Sequence, residues 1–252
     1  MDAVAVLRLL EAVRTLNIQN KVKIYQATSS EIFGEYKNKP FDELSPIRPR
    51  SPYGNSKAFS YWAIRNYRES YNFFAVNGIL FNHESPVRGE TFITRKITRG
   101  VVRIALGLDD CIYVGNLNAY RDWGHAKDYV NAMYLMMQHE IPDDFVVATG
   151  EAINVRELIE RVFNILDVEI EWVGSGLSQV AKVKKNNSKY QSFKEGKIVI
   201  RIDKRYFRPN EVDYLVGDSK KAREVLGWEP KYTLDSMLEE MVVSDFENEQ
   251  KK

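Results

Sequence analysis

Two short stretches of the sequence carry side chains that could do acid–base chemistry. In TSSEIFG, Ser29 and Glu31 follow an apolar, strand-like run, and in SPYGNSK, Tyr53 and Lys57 stand four residues apart near the start of a predicted helix. Residues at that spacing lie on one helix face, one turn apart. Because a nearby ammonium stabilises phenolate, it lowers the pKa of a tyrosine from its usual ~10, and such a tyrosine can take a proton from an alcohol.

Alternating strands and helices are predicted to hold these residues in place. Hydrophobic periodicity predicts helices over 6–16 and 155–166. Further helices are predicted over 53–71, which has no internal Pro and no Gly beyond Gly54, over 94–106 and over 126–138; another ends at Gly227, and a last one begins at Thr233 or Asp235. Strands are predicted over 22–27, 73–81, 111–114, 145–149 and 170–173. The polar, lysine-rich segment 174–196 is predicted to be a flexible excursion. The alternation predicts an α/β fold whose parallel sheet is covered by helices on both faces.

The composition excludes several classes of protein. The chain has 252 residues, 44% of them hydrophobic, which is enough for a substantial core. Lys and Arg number 36 against 35 Asp and Glu, so no broad positive field favours nucleic acid or a membrane surface. With a single cysteine, Cys111, and three histidines, we expect no metal site. Since the sequence shows neither an apolar run of about 18 residues nor a signal-peptide pattern, we expect a cytoplasmic protein that binds no membrane and no nucleic acid.

The two stretches by themselves leave plainer interpretations open. Ser29 could simply end a strand while Glu31 caps the next turn, and a Tyr and a Lys at this spacing are common on helix surfaces. A hydrolase built from Ser29, His83 and an acid is a further alternative, but no G-x-S-x-G turn accompanies it. We interpret His125 as a buried core histidine with its hydrogen bonds satisfied.

Longer motifs favour one interpretation of these two stretches over the others. The order of a hydroxyl at a strand end followed by Tyr-x-x-x-Lys resembles the extended short-chain dehydrogenase/reductase superfamily. Nearly the whole chain resembles the GDP-mannose 4,6-dehydratase family, through IRPRSPYGNSK, NGILFNHESPVRGETFITRKITR, GNLNAYRDWGHAKDYVNAMYLMMQ, FVVATGE, YFRPNEVDYLVGD and LGWEPK. Three of these motifs, LFNHESP, RDWGHAKDYV and RPNEVD, are far more specific than the Tyr/Lys pair.

The resemblance implies a lyase that uses NADP to convert GDP-mannose to GDP-4-dehydro-6-deoxy-mannose and water, in the GDP-fucose and deoxyhexose pathway. The C4 hydroxyl is oxidised, water is lost across C5 and C6, and hydride returns to C6. Tyr53 would take the C4 hydroxyl proton, while Lys57 lowers the pKa of Tyr53 and holds the nicotinamide ribose. Glu31 would remove the C5 proton. Ser29 would hydrogen-bond the C4 oxygen, at a position where family members often carry Thr.

The resemblance also implies binding residues. Tyr53, Lys57, His83 and Arg88 would contact NADP, and Asn82 would lie beside the sugar nucleotide. The remaining residues implied in binding GDP-mannose are Lys96, Arg121, Arg208 and Glu211. Arginine suits a diphosphate because its planar fork reaches two oxygens at once.

The family pattern divides the chain into two parts. Residues 1–90 and 126–150 would form the C-terminal half of an NADP-binding, Rossmann-like domain, and residues 91–125 and 151–252 a smaller α/β domain that binds the sugar nucleotide. No G-x-x-G-x-x-G turn occurs in the sequence. Because that turn cradles the cofactor phosphates, we expect an N-terminally truncated sheet, and weak or no NADP binding by this chain alone.

The resemblance implies a homo-oligomer, either a dimer or a tetramer, or pairing with a dehydratase subunit. Val87 stands where relatives often carry a second arginine, which puts a tetramer contact in doubt. Two alternatives stay open: a catalytically silent fragment that pairs with a full-length dehydratase subunit, and a related sugar-nucleotide 4-keto reductase. Glu31 argues against the reductase, because a simple reductase has no C5 proton to remove.

Overall fold

The computed structural model describes residues 2–34, 40–207 and 212–251. The α-helices are α1 (Asp2–Thr15), α2 (Pro52–Tyr71), α3 (Ile93–Ala105), α4 (Ala126–Gln138), α5 (Val155–Ile165), α6 (Lys220–Leu226) and α7 (Leu234–Gln250). The strands are β1 (Lys23–Ser29), β2 (Phe74–Leu80), β3 (Asn82–Glu84), β4 (Ile112–Val114), β5 (Tyr120–Arg121), β6 (Trp123–His125), β7 (Asp144–Val147), β8 (Ile153–Asn154), β9 (Val168–Val173), β10 (Val180–Asn186), β11 (Ile198–Ile202) and β12 (Tyr214–Leu215). The predicted α/β alternation is confirmed.

The chain forms two compact units. The first comprises Met1–His83, Tyr120–Ala152 and Val212–Lys231, and the second comprises Glu84–Ala119, Ile153–Glu211 and Tyr232–Lys252. These bounds differ from those of the predicted domains mainly in segment 212–231, which belongs to the first unit. Trp228 accounts for this placement, because it is fully buried and its indole N–H donates to the Asp128 carbonyl at 2.8 Å.

A parallel sheet with the order β1-β2-β7 forms the centre of the first unit. On one face, Val76 and Leu80 of β2 pack in the same cluster as Tyr129 of α4, and on the other face Ile79 packs with Tyr61 of α2. The apolar run that predicted a strand covered on both faces therefore has that environment. β1 and β2 pair in register, with Ser29 opposite Leu80.

Local signals explain where α2 begins and ends. The Ser51 side chain accepts a hydrogen bond from the Gly54 amide, and Pro52 occupies the first helical position, where a missing N–H costs nothing. Asn72 ends the helix in the left-handed conformation, with φ of 54°. The same logic holds for α7, where Thr233 rather than Asp235 caps the helix by accepting from the Ser236 amide.

The second unit contains a sheet with the order β4-β11-β10-β9, together with α3, α5 and α7. The prediction of a flexible excursion over 174–196 is wrong for β10, which pairs antiparallel with both β9 and β11. Ala181 and Val183 are buried while Lys184 is exposed. This alternation with period two was present in VAKVKKN, but the lysines obscured it.

Within the described ranges, none of the helices combines the length and the apolar character needed to cross a membrane.

Candidate active site

β1 ends in a turn that brings Ser29 and Glu31 together. Ser29 caps a 3-10 helix, Ser30–Ile32, and its Oγ accepts a hydrogen bond from the Glu31 amide at 3.3 Å. The capping residue of this turn is therefore Ser29 and not Glu31. Both side chains are partly exposed, whereas Ser30 between them is buried. A hydroxyl and a carboxylate thus reach solvent at the carboxyl end of a parallel strand, where ligands of such sheets bind.

Ser51 joins Glu31 to the start of α2. Its Oγ donates a hydrogen bond to Glu31 Oε2 at 2.8 Å and accepts one from the Gly54 amide at 2.9 Å. Gly54 permits this arrangement, because a Cβ atom there would lie 2.7 Å from the Glu31 carbonyl oxygen. The first turn of α2, which carries Tyr53, is consequently fixed against the turn that carries Glu31.

Tyr53 and Lys57 share the face of α2 that the sequence predicted. The Lys57 Nζ atom lies 5.6 Å from the centroid of the Tyr53 ring and donates to the Ala27 carbonyl at 2.9 Å. Ala27 precedes the Ser29 turn on β1, so the structure brings together all four predicted catalytic residues. Tyr53 is 48% exposed, which leaves room for a ligand against its ring.

Asn82 and His83 follow β2 at the same edge of the sheet, since Leu80 lies opposite Ser29 in a parallel pair. The His83 Nδ1 atom lies 2.9 Å from the Phe81 carbonyl oxygen, and its ring stacks on Tyr129 with 4.8 Å between centroids. Because a carbonyl oxygen only accepts hydrogen bonds, Nδ1 carries the proton. In the neutral ring, Nε2 is then an acceptor.

The second unit holds two of the predicted cationic residues. The Arg88 Nε atom forms an ion pair with Glu84 Oε2 at 3.1 Å, and the guanidinium carbon lies 3.6 Å from the centroid of the Phe92 ring. Burial raises the pKa of the Glu84 carboxyl above its ordinary value. The Lys96 Nζ atom lies 3.3 Å from the centroid of another ring, Tyr206.

Three predicted residues remain. Arg121 ends β5, which pairs in parallel with β12, and donates a hydrogen bond to the Tyr120 carbonyl at 2.8 Å. Arg208 and Glu211 lie outside the described residues. His125, interpreted as a core residue, is 1% exposed and its Nδ1 accepts the Lys127 amide at 3.0 Å.

The sequence did not single out two polar residues that organise the first unit. One is Ser51. Its position directly before Pro52 would have identified it as a helix cap. The other is Asp122, which is fully buried and accepts hydrogen bonds from the backbone of Thr149 and Gly150 at 2.9 Å. Burial raises the pKa of the Asp122 carboxyl. Asp122 lies in the RDWGHAKDYV motif, but the residue types alone did not reveal its burial.

A family model described as GDP-mannose 4,6 dehydratase matches residues 1–241. The chain belongs to the GDP-mannose 4,6-dehydratase family. It is 50% identical over 248 residues to the GDP-mannose 4,6-dehydratase of Yersinia enterocolitica and 51% identical over 251 residues to that of Vibrio cholerae. These matches cover 98% and 99% of this chain and 67% of each relative. The human GDP-mannose 4,6 dehydratase is 49% identical, with 98% of this chain and 64% of the relative covered.

The chain therefore spans about two thirds of the length of these GDP-mannose 4,6-dehydratases. The predicted family, and with it the enzyme class of hydro-lyases, is confirmed at the level of the family. The alternative of a 4-keto reductase finds no support in these matches, since the relatives are named dehydratases.

Solved structures agree on the fold. RMD from Pseudomonas aeruginosa, complexed with NADPH, superposes with a TM-score of 0.80 at 20% identity, covering 98% of this chain and 74% of that one. The dTDP-glucose 4,6-dehydratase of Bacillus anthracis, in complex with NAD, gives 0.76 at 20% identity, covering 99% and 68%. At 20% identity, these superpositions show that this member of the GDP-mannose 4,6-dehydratase family shares its fold with both structures, and they show nothing more.

Proposed function

We propose that this chain carries the acid–base residues of a GDP-mannose 4,6-dehydratase and acts in the conversion of GDP-mannose to GDP-4-dehydro-6-deoxy-mannose and water. The observation that supports this most is the hydrogen bond of 2.8 Å between Ser51 and Glu31 Oε2. It ties a carboxylate to the helix turn that carries Tyr53, one turn before Lys57. A base, a hydroxyl, a phenol and an ammonium are the groups that this reaction needs.

Each residue has a step that its position suits. Tyr53, whose ring is half exposed, takes the proton of the C4 hydroxyl, and Ser29 hydrogen-bonds the C4 oxygen. Once C4 is a carbonyl, the adjacent C5 proton is acidic, and Glu31 removes it as a general base. The resulting enolate expels the C6 hydroxyl, which takes the proton that Glu31 removed from C5 and leaves as water.

We propose NADP as the cofactor. When bound, it would accept hydride from C4 and return hydride at C6. Lys57 suits the nicotinamide ribose of this cofactor. Its ammonium has three N–H groups, and the Ala27 carbonyl accepts a hydrogen bond from one of them. Arg88 offers the terminal nitrogens of its guanidinium to a phosphate. His83, which follows β2 at the edge of the sheet where β1 ends, is the remaining proposed contact. The neighbouring folds that contain NADPH or NAD support a nicotinamide cofactor.

We propose GDP-mannose as the substrate because the relatives are named GDP-mannose 4,6-dehydratases. Asn82, Lys96 and Arg121, with Arg208 and Glu211 outside the described residues, are the proposed contacts to it. The proposed protein is cytoplasmic and acts as a homo-oligomer or beside a dehydratase subunit. Three of the four proposed cofactor contacts, Tyr53, Lys57 and His83, belong to the first unit, as do Asn82 and Arg121 among the proposed contacts to the sugar nucleotide.

The test isolates Glu31 from the cofactor. In D2O, the C5 proton of GDP-4-dehydro-6-deoxy-mannose should exchange for deuterium faster with the purified chain than in buffer, because the 4-keto group already acidifies it. Proton NMR follows the C5 signal. Glu31→Gln should slow the catalysed exchange by about 10²–10⁴-fold, the usual contribution of a general base.

Glu69→Gln provides the control, since Glu69 is an exposed carboxylate at the far end of α2 and should leave the exchange unchanged. Exchange at the buffer rate with the wild-type chain would support the silent-fragment alternative instead. Unchanged exchange in Glu31→Gln would remove Glu31 from the mechanism.

A further inference from the structure

The loop between β3 and α3, residues 85–92, carries Arg88 and closes on itself through its backbone. The Arg88 amide donates to the Ser85 carbonyl at 2.9 Å, and the Phe92 amide donates to the Gly89 carbonyl at 3.1 Å. These two turns set the direction in which the Arg88 side chain leaves the backbone.

Arg95 of α3 binds two backbone carbonyls of this loop. One of its terminal nitrogens donates to the Pro86 carbonyl and, at 3.2 Å, to the Arg88 carbonyl. Arg95 is only 6% exposed, so these bonds lie away from competing water. The Arg95 guanidinium therefore fixes the part of the loop around Pro86 and Arg88, while Arg99 pairs with Glu90 at 3.2 Å further along it.

Asp245 of α7 fixes that guanidinium. Its Oδ1 accepts from Arg95 Nε at 2.7 Å, while its Oδ2 accepts from Thr98 Oγ1 at 2.7 Å. Asp245 is 1% exposed, and both of its oxygens have partners. A buried carboxylate of this kind holds its partner in one geometry, because any other arrangement would leave a charge unpaired.

The Arg88 side chain is held at its inner end. Glu84 Oε2, which accepts from Thr94 Oγ1 at 2.6 Å, forms the ion pair with Arg88 Nε, and the Phe92 ring covers the guanidinium face. Within the described parts of the chain, no residue accepts a hydrogen bond from the terminal nitrogens of Arg88. Those nitrogens present the planar fork that suits phosphate oxygens.

We propose that Asp245 and Glu84 are positioning residues that preorganise Arg88 as a receptor for a phosphate group, so that α7 shapes the anion site without touching the ligand. The proposal rests on the cofactor role given to Arg88 under the proposed function. Preorganisation raises affinity because the ordering of the loop and of the arginine has occurred before binding.

The variants separate this role from the general packing of α3 on α7. Asp245→Asn weakens the hold on Arg95, and Arg95→Lys keeps the charge but cannot reach Asp245 and both loop carbonyls together. Arg103→Gln is the matched control, because Arg103 binds Glu249 in the same helix contact and Asp109, whereas the loop is bound by Arg95 and by Arg99.

Three readouts are combined, none of which needs catalysis: hydrogen–deuterium exchange of residues 85–92, the Arg88 Nε–H resonance by NMR, and the dissociation constant for inorganic pyrophosphate. In Asp245→Asn and Arg95→Lys, the loop amides should exchange about tenfold faster, since a hydrogen bond to a charged group is lost. The Arg88 resonance should move, and pyrophosphate should bind more weakly. Arg103→Gln should lower the melting temperature without changing these three readouts.

Equal loop exchange in Asp245→Asn and Arg103→Gln would overturn the positioning role, and so would an unmoved Arg88 resonance in Arg95→Lys. If the wild-type chain binds no pyrophosphate, the receptor role is overturned. The C5 exchange assay depends on Glu31 and not on this loop, so failure of the proposed function is recognised separately.

Discussion

The Ser51 hydroxyl uses both of its hydrogen-bonding functions at once, donating to Glu31 Oε2 at 2.8 Å and accepting from the Gly54 amide at 2.9 Å. It is therefore a helix cap and a support for the proposed base. A lone capping serine would stabilise α2 without affecting Glu31. The two functions make separate predictions possible.

Ser51→Ala should lose both bonds and reduce the free energy of unfolding by about 0.5–2 kcal/mol, the usual cost of removing a cap. Ser51→Asp should recover most of that stability, because Asp also caps helices well, but it has no O–H donor and places a second carboxylate beside Glu31. Denaturant unfolding measures the first effect, and the C5 exchange rate measures the second.

Ser51→Thr is the matched control, since it retains a hydroxyl that can both donate and accept. If Ser51→Asp exchanges the C5 proton as fast as the wild-type chain, then Ser51 serves only as a cap.

Local patterns were sufficient to predict much of the first unit. The apolar run of β2 and the absence of an internal proline in α2 are properties of single elements, so neighbouring residues carry the signal. Tyr53 and Lys57 likewise belong to one helix turn, and the structure places them as their spacing predicted.

Contacts between distant residues could not be predicted in this way. Ser51 and Glu31 are 20 residues apart, and Arg95 and Asp245 are 150 apart. Each pair depends on how two elements pack, and single-sequence patterns do not contain that information. The second unit shows the opposite failure, since β10 had the alternation of a strand but its lysines suggested a loop.

The contact of α1 with α2 should make stability depend on pH at both extremes. Glu11 accepts hydrogen bonds from Arg14 and from Tyr67, and they hold the pKa of the Glu11 carboxyl at about 2, below its ordinary 4.5. Burial, and then the bond to Glu11, raises the pKa of Tyr67 to about 12 from 10.

The signs follow from proton uptake. As pH falls from 4.5 toward 2, the unfolded chain protonates Glu11 before the folded chain does, so stability is lost. As pH rises from 10 toward 12, the unfolded chain releases the Tyr67 proton first, so stability is again lost. The denaturant midpoint, measured as a function of pH, should therefore fall on the acid limb of the curve, below pH 4.5, and on its alkaline limb, above pH 10.

Glu11→Gln should flatten the acid limb, because glutamine does not titrate in this range. Glu69→Gln, which removes an exposed carboxylate 62% accessible to solvent, should keep the slope of the wild-type chain. An acid limb that is equally steep in both variants would mean that the Glu11 contact does not form in solution.

A buried polar network joins α2 to the sheet of the first unit, and breaking it should lower the free energy of unfolding more than breaking an exposed ion pair. Arg68 donates two hydrogen bonds to the Asp144 carboxylate, at 3.0 and 2.9 Å, and Asn77 Nδ2 donates a third at 2.8 Å. Asp144 is 4% exposed and Asn77 is fully buried. Arg68→Met would leave a buried carboxylate whose remaining cation, Arg65, lies 3.7 Å away.

We expect Arg68→Met to reduce the free energy of unfolding by about 3–5 kcal/mol, as when one partner of a buried ion pair is removed. Glu69→Gln, which breaks the exposed pair with Arg65, should cost only about 0.2–1 kcal/mol. Asp144→Asn in the Arg68→Met background should recover part of the loss, because the uncompensated charge is then absent. Chemical denaturation of the four proteins, including the wild type, measures these differences. Equal costs for Arg68→Met and Glu69→Gln would show that water reaches Asp144 and that the network adds little to stability.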